Sequence, residues 1–561
     1  MEILTCHVLC VGGGGAGITA AITAAEQGVD VILASKEPLG YGDTKASMGM
    51  MVCPGIEKDD GPGNFYRDMI EGGELLNDAR LAHMMAEQAT EALQVLEGYG
   101  HLFLRDDEGK LSSKVVYATG GHSRRRTIGC PPGGGIAIGN SLRGAVARAG
   151  VKVLEEIVVA SLLMNESRVT GAVCYDLPRG EVLLIQAGAV VLATGGGGWL
   201  YYPHSDCTPG TTGDGFSLAY EAGAELVDME QVQFIPFGLT HPSAMCGVFV
   251  GEPNLAAPAG VLRNRNGEII LENISTMTRA AVTRVMAKEL SRGGGTEHGG
   301  LLLDLRPNLT SEKGRQLWEV RRKRGQMEVV RLAYGDAAYR WEEPWEVAPT
   351  AHYFMGGIKI DHRGRSTAPG LYAAGQVVGG IHGGNRLGSV SLAELFVFGQ
   401  AAARSAVNDC KGVRFSGFKH ADCRREEVEL LHSLPGKKGG IPPLRLQRAM
   451  QQVMWDKVGL ARDKKGLVQA LSEIKRIEEA WPQVAVSEQK NYNQEALHAI
   501  ELRHMLVTAK MVIRSALLRE ETRGGHLRLD FPGRDDENWC RNIILHKGNG
   551  GLEARTEVVR H

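Results

Sequence analysis

The sequence of 561 residues predicts a multidomain α/β protein with a parallel sheet at its centre. Three short apolar segments that lie far apart in the chain, 7–11, 187–192 and 370–375, each run into or are bounded by glycine. Such segments are typical of buried strands that assemble one sheet from distant parts of a chain. The length indicates several domains, because a single hydrophobic core stops growing near ~250 to ~300 residues.

The first of these segments belongs to a predicted βαβ unit. The strand at 7–11 leads through a glycine turn at 12–17 to an alanine-rich helix at 18–27, and a second strand follows at 29–35. The turn carries the pattern G-x-G-x-x-G, which permits a tight turn, a pyrophosphate at the helix N-terminus and close packing of helix on strand. This predicts a dinucleotide site. The Ser-Lys-Glu run at 35–37 leaves open which side chain binds the adenosine ribose.

Composition and charge exclude several classes of protein. A net charge of -2 provides no electrostatic footprint for nucleic acid or for an anionic membrane surface. The sequence has no run of about 18 apolar residues and no N-terminal targeting pattern, so we expect a cytoplasmic chain without direct membrane insertion. Its ten cysteines form no C-x-x-C pair, and neither an iron-sulfur cluster nor any other metal site is predicted within this chain.

Glycine and polar residues cluster in stretches that otherwise resemble packed core. Backbone that must approach a ligand closely explains clusters of glycine. Among the 74 glycines, clusters stand out in four stretches, 12–17, 133–135, 195–198 and 293–300. The block 348–399 places His352 and Arg386 among further glycines. Polar chemistry in a buried setting makes this block the main candidate for a functional site.

Several long motifs occur together in a fixed order. Besides the βαβ unit and the block just described, they are Thr-Gly-Asp-Gly at 212–215, the segment 224–234, Glu-Thr-Arg-Gly-Gly-His at 521–526 and the acidic run ending in Trp at 535–539. With this combination the chain resembles, along nearly its whole length, the flavoprotein subunit family of fumarate reductase, succinate dehydrogenase and L-aspartate oxidase. The resemblance implies FAD as the cofactor.

The resemblance also implies a domain organisation. It is a Rossmann-like FAD-binding domain interrupted by an α+β capping domain and followed by a helical domain. Apolar residues at helical spacing in 444–458 and 467–481 agree with that helical domain. The expected bounds are 1–240 and 346–410 for the FAD-binding domain, 241–345 for the cap, 411–520 for the helical domain and 521–561 for a C-terminal segment.

The chemistry that the family implies is hydride transfer between flavin N5 and a carbon next to a carboxylate. A carboxylate clamp needs an Arg fork and a His donor, and the matching positions are Arg386 and His352. Arg279 matches the family's proton-transferring Arg, and Glu252 matches the acid that relays the proton. Arg284 is the rival for the role of Arg279.

The second clamp of a dicarboxylate is missing. Where the family has a His, this chain has Ile235, and where it has a Thr, this chain has Gly251. A carboxylate without partners in an apolar pocket costs several kcal/mol. We therefore expect a substrate with one carboxylate and an apolar or aryl far end beside Ile235 and Phe237, unless His241 or His382 compensates.

Two other departures concern the amine and the flavin. An L-aspartate oxidase-like enzyme stays an alternative, although L-aspartate oxidase places an acid where this chain has Thr119, so that a substrate amine here loses its counter-charge. The Arg run at 124–126 leaves open whether it contacts flavin phosphate, a partner or only solvent. Respiratory members attach FAD to a His where this chain has Asp43. Asp cannot form that bond, so the FAD is expected to be non-covalent, which favours reduction of a double bond over succinate oxidation.

The remaining implied contacts surround the flavin. Gln376 is expected at the ribityl chain, and backbone donors at Ser391 and Leu392 are expected at an isoalloxazine carbonyl, where they stabilise the reduced flavin anion. The full set of expected cofactor-binding residues is Gly12, Gly14, Gly15, Ala16, Gly17, Ser35, Lys36, Thr44, Ala46, Ser47, Gly49, Ala193, Thr194, Gly195, Asp214, His352, Tyr353, Gly375, Gln376, Arg386, Ser389, Ser391 and Leu392.

Two functions of different class follow from the resemblance. The first is a catalytic reductase of a carboxylate-bearing substrate that exchanges electrons with an iron-sulfur partner subunit, which would also bring the chain to the periphery of a membrane. The second is a flavin-bearing electron-transfer subunit without dicarboxylate turnover. The presence of His352, Arg386, Arg279 and Glu252 favours the first, and the incomplete second clamp favours the second.

Overall fold

The computed structural model describes residues 2–111, 116–117, 120–129, 133–323, 325, 327–411, 431, 434 and 439–559. Twenty strands and fourteen helices are described. The strands are β1 Glu2–Val11, β2 Val31–Ser35, β3 Met51–Val52, β4 Val116–Tyr117, β5 Thr127–Ile128, β6 Lys152–Glu155, β7 Ile157–Asn165, β8 Arg168–Asp176, β9 Glu181–Leu192, β10 Leu226–Val227, β11 Val232–Leu239, β12 Phe249–Gly251, β13 Val261–Arg263, β14 Ile269–Leu271, β15 Leu301–Asp304, β16 Trp345–Phe354, β17 Gly357–Ile358, β18 Leu371–Ala373, β19 Arg541–Gly548 and β20 Gly551–Val558. The helices are α1 Gly15–Ala25, α2 Asp43–Ala46, α3 Pro62–Gly72, α4 Ala79–Gly98, α5 Gly134–Arg148, α6 Asp214–Glu221, α7 Arg279–Ser291, α8 Glu312–Lys323, α9 Glu328–Tyr339, α10 Val390–Cys410, α11 Pro443–Val458, α12 Lys464–Glu479, α13 Gln494–Leu518 and α14 Asp536–Trp539.

The largest sheet has seven strands in the order β6-β2-β1-β9-β8-β7, with β18 paired to β9. Strands β6, β2, β1, β9 and β18 run parallel, and β8 and β7 extend the sheet in antiparallel fashion. The three apolar segments predicted to share one sheet are β1, β9 and β18, and the structure confirms that they are neighbours. Every residue of β2 and β18 is buried, as is typical of parallel strands at the centre of an α/β sheet.

The predicted βαβ unit is confirmed, with the helix starting three residues earlier than expected. Helix α1 begins within the glycine turn and is buried from Gly15 to Ala24. The turn requires glycine at two places. Gly12 has a φ of +116°, and a Cβ on Gly17 would lie 1.9 Å from the carbonyl oxygen of Gly12. These glycines let α1 pack directly against the end of β1.

A six-stranded antiparallel sheet, in the order β12-β11-β16-β15-β13-β14, forms a second layer with its own hydrophobic core. That core extends along the chain from Phe237 to Val347, and helix α7 packs against it. The sequence-based bounds of the cap, 241–345, fall within the same region. Strands β11 and β16 continue from this sheet toward the main domain and position the residues discussed below.

Helices α11, α12 and α13 pack against one another near the C-terminal end of the chain. They correspond to the two helical segments predicted at 444–458 and 467–481 and to one further long helix. The hairpin of β19 and β20 joins β10 and β17 in a four-stranded sheet, while β3, β5 and β4 form a small separate one. None of the helices in the described residues is long and apolar enough to cross a bilayer.

Buried charge links the C-terminal segment to the main domain. Arg519 is fully buried and forms ion pairs with Asp228, Glu230 and Glu521, at 3.1, 2.6 and 3.0 Å. The pKa of Arg519 is raised, because these carboxylates outweigh burial, which by itself would lower it. The guanidinium therefore stays charged and holds three acidic side chains together in the interior.

Candidate functional site

A large open cavity lies at the carboxyl ends of the parallel strands. Val11 and Ser35 end β1 and β2 there, and Ala193 and Ala374 follow β9 and β18. The crevice beyond the carboxyl ends of parallel strands is the usual ligand position in an open α/β sheet. The sheet therefore places the cavity where a dinucleotide is expected.

Nineteen of the 23 residues expected to bind the cofactor border this cavity. The four that do not are Gly17, Gly49, Arg386 and Ser389. Gly17 packs against the backbone of Gly12, and Ser389, with a φ of +62°, is the residue that precedes helix α10. The nineteen bordering residues are Gly12, Gly14, Gly15, Ala16, Ser35, Lys36, Thr44, Ala46, Ser47, Ala193, Thr194, Gly195, Asp214, His352, Tyr353, Gly375, Gln376, Ser391 and Leu392.

The polar atoms of the cavity fit a flavin dinucleotide. Oγ1 of Thr194 and Nε2 of Gln376 are buried and have no hydrogen-bond partner among the described residues. Ser391 and Leu392 lie in the first turn of α10, where backbone N–H groups have no partner within the helix. Helix α1 likewise begins at the cavity with no acidic residue in its first turn. Two helix N-termini and two spare side-chain groups are thus available to an anionic, carbonyl-bearing ligand.

Lys36 and Asp214 border the cavity as an ion pair. Nζ of Lys36 lies 2.7 Å from Asp214 and 2.9 Å from Glu501, and it donates to the hydroxyl of Thr212 at 2.7 Å. These bonds occupy the ammonium group. Glu37, two residues after β2, also borders the cavity, and burial raises the pKa of its carboxyl. Glu37 is therefore the candidate acid for the ribose that the Ser-Lys-Glu run left open.

Asp43 is the first residue of α2 and borders the same cavity. Its Oδ1 accepts hydrogen bonds from the backbone N–H and the hydroxyl of Thr208, at 2.8 and 3.0 Å. Burial raises the pKa of this carboxyl to about 6, although the Thr208 donors oppose that change. A carboxyl group rather than an imidazole therefore borders the cofactor cavity at the position that led the sequence to predict non-covalent FAD.

Strand β16 presents His352 through a β-bulge. Tyr353 pairs with Gln233 and Ala351 pairs with Phe234, so His352 is the extra residue between them. Nδ1 of His352 lies 2.8 Å from the Asp206 carboxylate, and Nε2 lies 2.6 Å from a guanidinium nitrogen of Arg386. The structure thus brings together the two residues predicted to clamp a carboxylate.

Arg386 is almost completely buried, and its guanidinium lies 4.8 Å from the centre of the Tyr353 ring. Burial lowers the pKa of Arg386 to about 10, and repulsion from Arg279 acts in the same direction. Its Nε atom has no hydrogen-bond partner among the described residues. A buried cationic donor with spare capacity is suited to an incoming anion.

Arg279 begins helix α7 and forms a two-pronged ion pair with Glu252, with one N–H···O distance of 2.6 Å. Burial raises the pKa of Glu252, but Arg279 outweighs this effect and the net pKa is lowered. Arg279 also donates to Gln233 at 3.1 Å, and Gln233 donates to the carbonyl of Arg386 at 2.9 Å. Gln233 therefore connects the Arg279–Glu252 pair to the predicted clamp.

The rival Arg284 has different partners. Its guanidinium lies 2.7 Å from Glu74 and donates to the carbonyl of Gly524 at 3.0 Å. The two histidines considered as replacements for the second clamp are also engaged elsewhere. His382 is buried, with its Nε2 2.7 Å from Oε2 of Glu394. His241 lies just after β11, at the end of that strand remote from Gln233. None of these three side chains is part of the network around His352.

The positions of the missing clamp are apolar and filled. Ile235 and Phe237 are completely buried, and Phe237 belongs to the core of the cap. A Cβ on Gly251 would lie 2.5 Å from a methyl group of Leu255. In this conformation neither Ile235 nor Phe237 exposes surface to a substrate. The expectation that they face the far end of a substrate stays a prediction. Leu255 occupies the space that a Thr side chain would need.

The Arg run at 124–126 proves to be partly structural. Arg126 is buried and forms ion pairs with Asp60 and Asp68, and it lies 2.9 Å from Nδ1 of His122. Burial lowers the pKa of His122 to about 4, and its Nε2 lies 2.8 Å from the carbonyl of Gly388. Arg126 therefore contacts neither solvent nor the cofactor cavity. Thr119, which bears on the oxidase alternative, lies outside the described residues.

Sequence reasoning missed two residues of the network. Gln233 lies inside the quoted segment 224–234, but nothing in that motif indicated its link to Arg279. Asp206 carried no sequence signal at all, since its partner His352 is 146 residues away. Their roles become visible only when β11 and β16 lie side by side.

The fold, the cavity and its spare polar groups fit an FAD-binding protein, and the matches that follow make it an FAD-dependent oxidoreductase that acts on CH–CH bonds. Residues 7–392 match the family described as "FAD binding domain", and residues 447–560 match "Fumarate reductase flavoprotein C-term". The chain belongs to the flavoprotein family of fumarate reductase and succinate dehydrogenase. This confirms the resemblance, the fold class and the cofactor that the sequence predicted.

Individual relatives cover almost the whole chain. One subunit of "Fumarate reductase (CoM/CoB)" from Methanothermobacter marburgensis is 35% identical over 562 residues, 97% of this chain and 98% of the relative. "Fumarate reductase flavoprotein subunit" of Mycobacterium tuberculosis is 32% identical over 578 residues, 97% of this chain and 95% of the relative. The solved structure "Mycobacterium smegmatis Sdh1 in complex with UQ1" is 29% identical with a TM-score of 0.89 and covers 100% of this chain and 95% of its own.

Proposed function

We propose that this chain is the catalytic subunit of a reductase that saturates a carbon–carbon double bond next to a carboxylate, and that its preferred substrate is not fumarate. The observation that carries the proposal is one continuous network of six residues. Its members are Asp206, His352, Arg386, Gln233, Arg279 and Glu252. A chain that only passed electrons between partners would have no use for a buried carboxylate clamp joined to a proton donor.

Arg386 and His352 bind the substrate carboxylate in this proposal. The guanidinium offers the spare Nε donor, and an anion between the two side chains replaces their 2.6 Å contact. Asp206 holds the His352 ring from the opposite side at 2.8 Å and so fixes its orientation. The clamp orients the adjacent double bond toward the cavity that Tyr353 and His352 border.

Arg279 delivers the proton to the substrate carbon. A guanidinium is a weak acid, so it functions only when held at the reacting atom and reprotonated from a neighbouring group. Glu252 is that neighbour, bound to two nitrogens of the same guanidinium. Gln233 fixes the third nitrogen and thereby sets the distance between Arg279 and the clamp.

Bound FAD supplies the two electrons of the reduction. In the proposal it is held without a covalent bond, because Asp43 stands at the attachment position. Gln376 and Thr194 would hold it through their spare polar groups, and so would the N–H groups in the first turn of α10, where Ser391 and Leu392 border the cavity. The positive ends of α1 and α10 at this cavity would stabilise negative charge on the cofactor.

The far end of the substrate is uncharged in this proposal. Ile235 and Gly251 stand where the family binds a second carboxylate, and Leu255 fills the adjacent space. A second carboxylate there would lose its hydration without gaining a counter-charge, at a cost of several kcal/mol. An unsaturated monocarboxylate avoids this cost.

Electrons reach the flavin from a partner subunit, for which an iron-sulfur protein is the proposed class. All eight cysteines among the described residues are free thiols, most of them buried, and none is arranged to hold a cluster. Both relatives described above are named as subunits, which supports an assembly. Two-electron reduction of the substrate then draws on one-electron carriers outside this chain.

The test is reoxidation of the reduced flavin under anaerobic stopped flow. The substrates are fumarate, aspartate-derived iminosuccinate and a series of monocarboxylic enoates with alkyl or aryl far ends. We expect at least one enoate to oxidise the flavin faster than fumarate does. If no compound in the panel exceeds the rate in buffer, the chain only transfers electrons and the catalytic proposal fails; if fumarate is the fastest, the assignment of the far end fails.

A further inference from the structure

Two imidazoles and one carboxylate converge at the end of the cap that is remote from the flavin cavity. His241 follows β11, Glu346 is the second residue of β16, and His298 lies in the loop before β15. One ligand atom from each of the three side chains lies within 4.8 Å of the other two. Strands β11 and β16 are antiparallel. Leu239 pairs with Val347 at this end of the two strands, and Gln233 pairs with Tyr353 at the other end. The cluster is therefore separate from the network around His352.

The loop that carries His298 is one of the four glycine clusters, and the cofactor cavity does not account for it. Residues 296–300 form a closed turn. The N–H of Gly299 donates to the carbonyl of Thr296 at 3.0 Å, and the N–H of Thr296 donates to the carbonyl of Gly300 at 2.8 Å. Gly293 and Gly299 both have a φ of +81° with open space around them. Glycines on either side of His298 let its imidazole shift without straining the rest of the cap.

The turn packs closely against Glu346 and against Thr240, the residue that precedes His241. A Cβ on Gly300 would lie 2.7 Å from the side chain of Thr240 and 2.9 Å from Oε1 of Glu346. The Thr296 hydroxyl donates to Oε1 of Glu346, which leaves Oε2, 3.5 Å from Nδ1 of His241, as the oxygen that faces the histidines. The loop thus orients the carboxylate as well as contributing an imidazole.

The two rings are also held. The centres of the His241 and His298 rings are 4.3 Å apart, and the centre of the Tyr334 ring lies 4.5 Å from that of His241. Tyr334 is itself anchored, since its hydroxyl donates to the carbonyl of Glu346 at 2.6 Å. Neighbouring groups that orient ligating side chains are typical of metal sites.

We propose that His241, His298 and Glu346 bind a divalent transition-metal ion, with Zn²⁺ as the reference ion. Two imidazoles and a carboxylate are ligands that suit Zn²⁺, Co²⁺ and Ni²⁺ rather than Ca²⁺ or Mg²⁺. Bond lengths near ~2.0 to ~2.2 Å require the three ligand atoms to approach one another by roughly 1 Å, and the glycine-flanked loop supplies that movement. The remaining coordination positions are open to water, because His298 is exposed to solvent.

The ion would join three segments that are distant in the chain. It ties the loop at 293–300 to the ends of β11 and β16 and so closes the outer end of the cap sheet. A metal site would explain the glycine cluster of this loop, which the flavin chemistry does not explain. The metal site does not depend on the proposed substrate, because it shares no residue with the clamp.

The test is isothermal titration of the metal-stripped, FAD-loaded protein with Zn²⁺. We expect one ion per chain bound above the background of surface sites, and at least about a tenfold loss of affinity in His298→Ala. His298 is exposed, so this variant should fold normally. The matched control is His362→Ala, which removes another exposed histidine and should bind as the wild type does.

Two further measurements distinguish a built site from scattered surface binding. His241→Ala should lower the affinity as His298→Ala does, while His298→Asp, which restores a ligand, should recover part of it. Co²⁺ in place of Zn²⁺ should give visible d–d bands in the wild type that both alanine variants lack. Equal affinities in the wild type and in both alanine variants, or a stoichiometry that His362→Ala lowers equally, would overturn the proposal.

Discussion

A guanidinium nitrogen of Arg386 lies 2.6 Å from Nε2 of His352, so the two groups of the clamp contact each other directly. Because a guanidinium only donates, Nε2 accepts, and Nδ1 carries the proton that His352 donates to Asp206. Burial lowers the pKa of His352, although Asp206 acts in the opposite direction. The free clamp therefore holds a neutral histidine whose outer nitrogen must gain a proton before it can donate to a carboxylate.

Binding of a carboxylate should consequently take up a proton. The bound anion raises the pKa of His352, so affinity should rise as the pH falls toward the ordinary histidine range, by at most about tenfold per pH unit. Calorimetric titration with an unsaturated monocarboxylate in phosphate and in Tris measures the proton, because the two buffers differ in ionisation enthalpy. Asp206→Asn should reduce this proton uptake, because it removes the carboxylate that favours protonated His352, while FAD stays bound. A binding heat that is the same in both buffers contradicts this prediction.

Arg279→Lys should lower turnover by roughly 10²- to 10⁴-fold, the usual contribution of a positioned proton donor. Lys cannot bind Glu252 and Gln233 at the same time in the geometry of the guanidinium. Steady-state turnover with a reduced dye measures the loss, and the flavin spectrum checks that the site is intact.

The matched control for that variant is Arg284→Lys, on the same helix but paired with Glu74. It should keep turnover within a few-fold of the wild type. Equal losses in the two variants would show that the helix tolerates no change there, and an unchanged rate in Arg279→Lys would remove Arg279 from the mechanism.

Asp43→Asn should change the pH dependence of stability. Burial raises the pKa of Asp43 from 3.8 to about 6 in the folded chain, so the folded state binds more protons than the unfolded state between those values. Stability from this group is therefore present at low pH and is lost as the pH rises through about 6, by at most about 3 kcal/mol. Urea unfolding at about pH 4 and about pH 7 should show this fall in the wild type and a smaller one in Asp43→Asn. The same fall in both proteins would assign the pH dependence to other groups.

All of the flavin should leave the protein on acid precipitation. Asp43 offers a carboxyl where a covalent link needs an imidazole, and Thr208 already holds that carboxyl. Chromatography of the supernatant should recover one FAD per chain with an unmodified spectrum. Yellow colour that remains in the washed precipitate would refute non-covalent binding.

Arg519→Leu should destabilise the protein by about 3 to 5 kcal/mol, because it leaves the buried carboxylates of Asp228 and Glu230 without their counter-charge, whereas Glu521 keeps its ion pair with Arg523. Chemical unfolding followed by circular dichroism measures the change. Arg322→Leu is the control, since its ion pair with Glu319 is exposed and should contribute little. Similar effects in the two variants would contradict the assigned role of burial.

The parts of the fold set by local patterns were predictable. The βαβ unit follows from a glycine turn between two apolar strands, and α11 and α12 follow from the spacing of their apolar residues. His352 and Arg386 were found because their motifs are contiguous in sequence. The bounds of the four domains and the roles of the site residues stay predictions.

The connections across the fold were not predictable. Asp206 orients His352 from 146 residues away, and Gln233 bonds to the carbonyl of Arg386 from 153 residues away. The bulge that directs His352 depends on the register between β11 and β16. Likewise, the apolar character of Phe237 was visible in the sequence, but its burial within the core of the cap was not.

The contact between Gly251 and Leu255 restricts how this enzyme could change its substrate in evolution. A Thr introduced at Gly251 collides with Leu255 at 2.5 Å, so that step is harmful unless Leu255 has become smaller first. A smaller residue at Leu255 alone leaves a cavity in the cap. Each single step is therefore costly, and lineages that carry this pair should seldom gain a Thr at position 251.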